Sequence, residues 1–129
     1  MKEYPILFKG EMVREILECR KTMTRRIPDC RNAKWQISDR LWIKETFADW
    51  KDCLSREHCR LACNNFHYKA TSYCGYSGKW KSSLFMHRSK SRILLEITAI
   101  REEYLQNITE EDAIKEGIRP CDANGYYNY

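Results

Sequence analysis

Between Cys19 and Arg26 the sequence Cys-Arg-Lys-Thr-Met-Thr-Arg-Arg sets four cations, two hydroxyls and a thiol within eight residues. A lysine amine can accept a proton or hold a phosphate. A threonine hydroxyl becomes a nucleophile once a base removes its proton, and arginines grip oxyanions through paired N–H groups. The stretch reads as a site because it directly follows an amphipathic segment and carries β-favouring threonines, whereas a solvated charge run usually mixes signs. The bland alternative is a basic connection from a helix to a strand. For Cys19, which abuts the cations, a packed helix-end thiol is the simpler reading.

A second set of groups could bind metal. Cys53, Cys59, Cys63 and Cys74, with His58 and His67 close in sequence, can supply four soft ligands to a structural zinc. Their spacing contains no Cys-x-x-Cys pair, so reduced, partly buried thiols compete with the zinc reading. Seven cysteines, an odd number at uneven spacing, argue against a secreted disulfide framework and for a reducing compartment. No other cofactor is required.

The elements that must position these groups are short. Pro5-Ile6-Leu7-Phe8 reads as a buried strand ending at Lys9-Gly10. From Glu11 to Glu18, Met12, Val13, Ile16 and Leu17 recur at helical spacing, leaving Glu11, Arg14, Glu15 and Glu18 for the wet side. That helix delivers the chain into the basic stretch, an extended segment from Lys21 to Ile27 that Pro28 closes. Leu41 to Phe47 alternates as a strand. Residues 48 to 66 keep no period and read as a Cys-rich insertion, His67 to Thr71 as a further strand, and residues 79 to 92 as a basic loop. Ile93 to Arg101 carries the strongest strand signal and is expected in the core. Thr109 to Gly117 has a helix's boundary signals: Thr109 as N-cap, acids in the first turn, an Ile108–Ala113 staple, and Gly117 as the stop. An irregular tail follows from residue 119.

With 129 residues the chain fits one domain, spanning 1–129. A net charge of +5 tilts towards a polyanionic partner. No apolar run has the length of a membrane span, and Met1-Lys2-Glu3-Tyr4-Pro5 lacks a signal peptide's apolar core, so a cytoplasmic protein without a membrane partner is expected.

Taken in order, Ile6-Leu7-Phe8, the first helix, Arg20 to Arg26, Asp39-Arg40-Leu41-Trp42, Ser91-Arg92-Ile93 and Ile108 to Ile118 resemble the ASCH superfamily, and in particular its small bacteriophage and prophage members. The resemblance covers about two-thirds of the chain, and the blocks are specific as a set. It implies an α+β fold: a PUA-like (ASCH) mixed β-barrel flanked by short helices, with a cleft facing RNA or a nucleoside. Two features depart from the pattern. Phe85-Met86-His87-Arg88 stands where relatives carry a His-Met-Pro-Arg type motif, and relatives continue past the equivalent of Tyr129 into a closing strand. An open barrel edge would then allow dimerisation.

One branch of that superfamily removes acetyl from N4-acetylcytidine with a Lys, a Thr three residues later and a Glu from the late helix. The resemblance carries those roles onto Lys21, Thr24 and Glu116. Lys21 would act as base, Thr24 as nucleophile, and Glu116 as general acid at a helix end whose dipole disfavours the charged carboxylate. Residues three apart on a regular strand point to opposite faces, so Lys21 must sit at a bend for Thr24 to reach it. The rival reading is a non-catalytic RNA-binding module. There Arg20, Arg25, Arg26, Lys79, Lys81, Arg88, Lys90 and Arg92 would contact backbone, while Trp42, Trp80 or Tyr68 stack on bases. A ribonuclease using His87 or His67 is the third.

Overall fold

Alternating burial along the early strands fixes the centre of the molecule. The structure, a computed structural model, describes residues 1–29, 34–52, 66–72, 76 and 78–119. Strand β1 (Glu3–Leu7) leads into helix α1 (Gly10–Leu17), and the chain returns as β2 (Arg40–Lys44), parallel to β1 with Ile6 opposite Ile43. Parallel neighbours need such a crossover, and α1 lies within it. Strand β5 (Leu94–Glu96) pairs antiparallel on the other side of β2, giving the order β1-β2-β5. Strands β3 (Phe47–Asp49) and β4 (Phe66–Tyr68) form a separate antiparallel pair, extended by a bridge from Phe47 to Lys81. A second helix, α2 (Glu110–Lys115), closes the described chain.

The core is built from one face of the sheet and one face of α1. Ile6, Phe8, Val13, Leu41, Ile43 and Ala70 cluster there, flanked by Tyr4, Met12, Ile16, Trp35, Ile93, Leu95 and Ile97. The architecture is thus a small α+β arrangement. Among the described residues the strands form two separate sheets, and no helix is long and apolar enough to cross a membrane.

Four expectations need correction. The single strand read from Leu41 to Phe47 is two: the ladder ends at Lys44, Glu45 turns its carboxylate inward onto Arg92, and Phe47 joins the second sheet. The strand expected from His67 to Thr71 is Phe66–Tyr68 followed by a 3-10 turn over Lys69–Thr71. The segment from Ile93 to Arg101 contributes only the three paired residues of β5, at the edge of its sheet. Ile93, Leu95 and Ile97 face the core while Leu94 and Ile100 are exposed, because the central position went to β2. Glu15, expected on the wet face of α1, is buried. Residues 53–65 of the Cys-rich insertion, Cys53, Cys59, Cys63 and Cys74 themselves, and the tail from 120 lie outside the described residues.

Candidate functional site

Two helix ends meet at the basic stretch. Helix α1 stops in a Schellman motif: Cys19 takes the left-handed conformation (φ 58°), its N–H donates to Ile16 O at 3.0 Å, and Arg20 N–H donates to Glu15 O at 2.9 Å. Lys21 N–H also donates to Glu15 O, at 2.9 Å, which places Lys21 in the turn that leaves the helix. Helix α2 starts on Thr109, whose hydroxyl accepts from Asp112 N–H, and ends in the same motif. Gly117 (φ 89°) donates to Ile114 O at 2.9 Å and Ile118 to Ala113 O at 3.1 Å. A Cβ on Gly117 would lie 3.1 Å from Glu15 Cβ and 3.4 Å from Lys21 Cβ, so the two ends touch.

The basic stretch links them. Thr22 and Met23 N–H both donate to Lys115 O, at 2.9 and 3.0 Å, and Lys21 Nζ donates to Glu116 O at 2.6 Å. Cations and amides therefore sit where the carbonyl ends of two helices concentrate negative charge. This gives Lys21 and the Thr22 and Met23 amides a structural role at the two helix ends.

Lys21 is half-buried, and its amine is held below the ordinary lysine range. Burial is the main cause and the Arg26 charge adds to it, against the opposing pull of Glu116. Nζ also donates to Met23 O at 2.8 Å, on the peptide that leads into Thr24, and lies 5.6 Å from the centre of the Phe8 ring. Two carbonyl acceptors suit either charge state. A neutral amine has two N–H groups to satisfy them and keeps its lone pair free. Thr24 is half-buried, and its hydroxyl forms no hydrogen bond among the described residues. Glu116 meets Lys21 through its backbone carbonyl, while its carboxylate turns to Arg25, whose Nη1 donates to Oε1 at 2.9 Å.

Arg25 is the centre of a charge network. Its Nη2 reaches Asp112 Oδ2 at 3.2 Å, and Nε donates to Glu103 Oε1 at 2.9 Å. Arg101 Nη2 holds the same Asp112 oxygen at 2.8 Å. Burial pushes the Asp112 carboxyl up, but the Arg101 charge and the hydrogen bonds from Thr109, Arg101 and Arg25 outweigh it and leave it below its ordinary value. On the opposite side Glu15 binds Arg20 (2.5 and 2.9 Å) and Arg119 (2.8 and 3.1 Å). The Arg20 bonds lead in holding the Glu15 carboxyl down to about 2; burial opposes them and Arg119 adds to them.

Most of the remaining cations are engaged inside the protein. Arg20 also pairs with Glu18, Lys81 with Asp49 (2.5 Å) and Asp52 (2.9 Å), and Arg88 with Glu3 (2.7 Å). Lys90 lies 3.5 Å from Asp49 and over the Phe47 and Phe66 rings. Arg92 forms a two-point pair with buried Glu45, at 2.8 and 2.9 Å, and stacks 4.1 Å from the Tyr68 ring centre. Of these, Arg92 is held by a buried carboxylate, whereas Arg20, Lys81 and Arg88 are about two-fifths exposed. Arg26 is exposed and, among the described residues, pairs with no carboxylate: it donates to Leu7 O at 2.9 Å over Phe8. Lys79 is exposed, and Trp42 and Trp80 are half-buried. Lys44 Nζ lies 5.6 Å from the Trp42 ring, and Trp80 stacks 4.7 Å from Tyr76, itself 4.7 Å from buried His67. Burial lowers the His67 pKa, whereas His87 is exposed. Among the described residues no group of three or more His, Cys, Asp or Glu is placed to hold a metal ion.

The structure thus brings Lys21, Arg25 and Glu116 together, with Thr24 adjoining Arg25 in the chain, and spreads the basic loop elsewhere. Sequence reasoning missed Glu15, Glu103, Arg101 and Asp112. One signal was available: Asp112 and Glu116 are four apart on a helix, a spacing that puts two carboxylates on one face. Comparison with protein-family models, curated proteins and solved structures finds no match.

Proposed function

We infer that the chain is an ASCH-like domain, closing as a PUA-like barrel, that hydrolyses an acylated nucleoside, with N4-acetylcytidine as the substrate. The observation that carries this reading is Lys21. Its amine is half-buried just past the end of α1, tied by 2.6 and 2.8 Å hydrogen bonds to Glu116 O and to Met23 O, the residue before Thr24, and held below the ordinary lysine range. Burial and a lowered pKa are the conditions that favour a lysine acting as a base.

In this mechanism neutral Lys21 takes the Thr24 hydroxyl proton as Oγ1 attacks the acetyl carbonyl carbon. The tetrahedral adduct collapses, the bond from carbonyl carbon to N4 breaks, and the leaving nitrogen takes the proton that Lys21 now carries. Water then attacks the acetyl-threonine ester, giving its proton to the Glu116 carboxylate. The ester C–O bond breaks, acetic acid is released, and Thr24 Oγ1 recovers its proton from Glu116. The net change is amide plus water to amine plus acid, and the protein is restored.

Purified protein is expected to release cytidine from N4-acetylcytidine, with turnover almost independent of salt. Lys21→Ala and Thr24→Ala should each lower kcat by about 10²-fold or more, and the rate should fall on the acid side as Lys21 takes up its proton. Absence of turnover at high enzyme concentration overturns the reading. RNA affinity that collapses with rising salt would instead mark a binding module.

A further inference from the structure

The geometry points to Arg25 as a positioning residue: clamped by Asp112 and Glu103, it orients the Glu116 carboxylate and leaves Oε2 available for the attacking water. This rests on the hydrolase reading above. Asp112 and Glu116 lie one turn apart on the same face of α2, and Arg25 spans them, with Nη1 on Glu116 Oε1 and Nη2 on Asp112 Oδ2. Glu103 takes Nε and Nη2 from the other side, and Arg101 fixes Asp112 in turn. A planar guanidinium engaged at all three nitrogens has no rotational freedom left.

The site is also enclosed: side-chain exposure is 18% for Arg25, 10% for Asp112 and 19% for Glu116. A phosphate could reach Arg25 only by displacing three carboxylates, so its task lies within the protein. Without the clamp, Glu116 would sample several rotamers at the end of a short helix, and proton abstraction from the attacking water depends on its placement.

The test uses the full chain as wild type, Arg25→Ala and Asp112→Asn. Asp112→Asn keeps the Thr109 cap, which uses the Asp112 backbone N–H. Turnover of N4-acetylcytidine is measured alongside side-chain scalar couplings of Glu116 in 13C-labelled protein. Arg25→Ala should lower kcat roughly 10- to 100-fold with KM within about twofold. Added guanidinium should restore part of the loss, and the Glu116 couplings should pass from single-rotamer to averaged values. Asp112→Asn should show the same pattern more weakly, and it carries the test if Arg25→Ala does not fold. Unchanged kcat, a loss carried by KM alone, or couplings that stay single-rotamer overturn the clamp. A wild type without turnover defeats the hydrolase reading alone, and the couplings then decide the clamp by themselves.

Discussion

Glu15 shows how a single side chain can invert its sequence reading. On a helical wheel it falls on the polar face of α1, yet it is 6% exposed because Arg20 and Arg119 fold over it from the two chain segments leaving the helix ends. Local periodicity cannot register a partner 104 positions away. Its carboxyl is depressed from 4.5 to about 2, so its ion pairs contribute fully above pH 4.5 and lose their effect as pH falls toward 2. Glu15→Gln is therefore expected to lower stability near neutral pH and to flatten the decline between pH 4.5 and 2. Denaturant midpoints across that range would show it, and parallel curves for the two proteins would contradict it. Lys21 was legible as a functional candidate, but its contact with Glu116 through a backbone carbonyl was not, since residue types do not reveal which atom of a partner is used.

The helix ends carry the most legible and least legible features side by side. Thr109 and Gly117 delimit α2 as their types require, because capping is decided by atoms within a few residues. The matching end of α1 was hidden, since its left-handed position holds Cys19 instead of glycine. A side chain at positive φ costs about 1 kcal/mol or more, so Cys19→Gly should raise stability by about 0.5–1 kcal/mol after the added freedom of the unfolded glycine is subtracted. Gly117→Ala should lower it by about 1–2 kcal/mol, from φ 89° and the approach to Glu15 Cβ. Chemical denaturation of the two variants against wild type measures both, and shifts of the same sign would refute the shared motif.

At the scale of the molecule, strand strength read along the chain and strand position in the sheet proved to be different quantities. Ile93 to Arg101 had the strongest β signal but lies at the edge, whereas β2 holds the centre by pairing on both sides. Order in a sheet is set by pairing between distant segments, to which propensity is blind. Ile43→Ala, at 1% exposure, should cost about 2–4 kcal/mol, and Leu94→Ala, at 40%, less than about 1 kcal/mol. Equal losses in urea denaturation would put β5, not β2, at the centre. The link from Lys21 Nζ to Glu116 O joins residues 95 positions apart. On a ribosome adding roughly 5–20 residues per second, the first waits on the order of 5–20 seconds for the second. Until α2 emerges, that amine is an ordinary hydrated cation. The bond that ties the two helix ends together through Lys21 therefore forms only as the late helix docks.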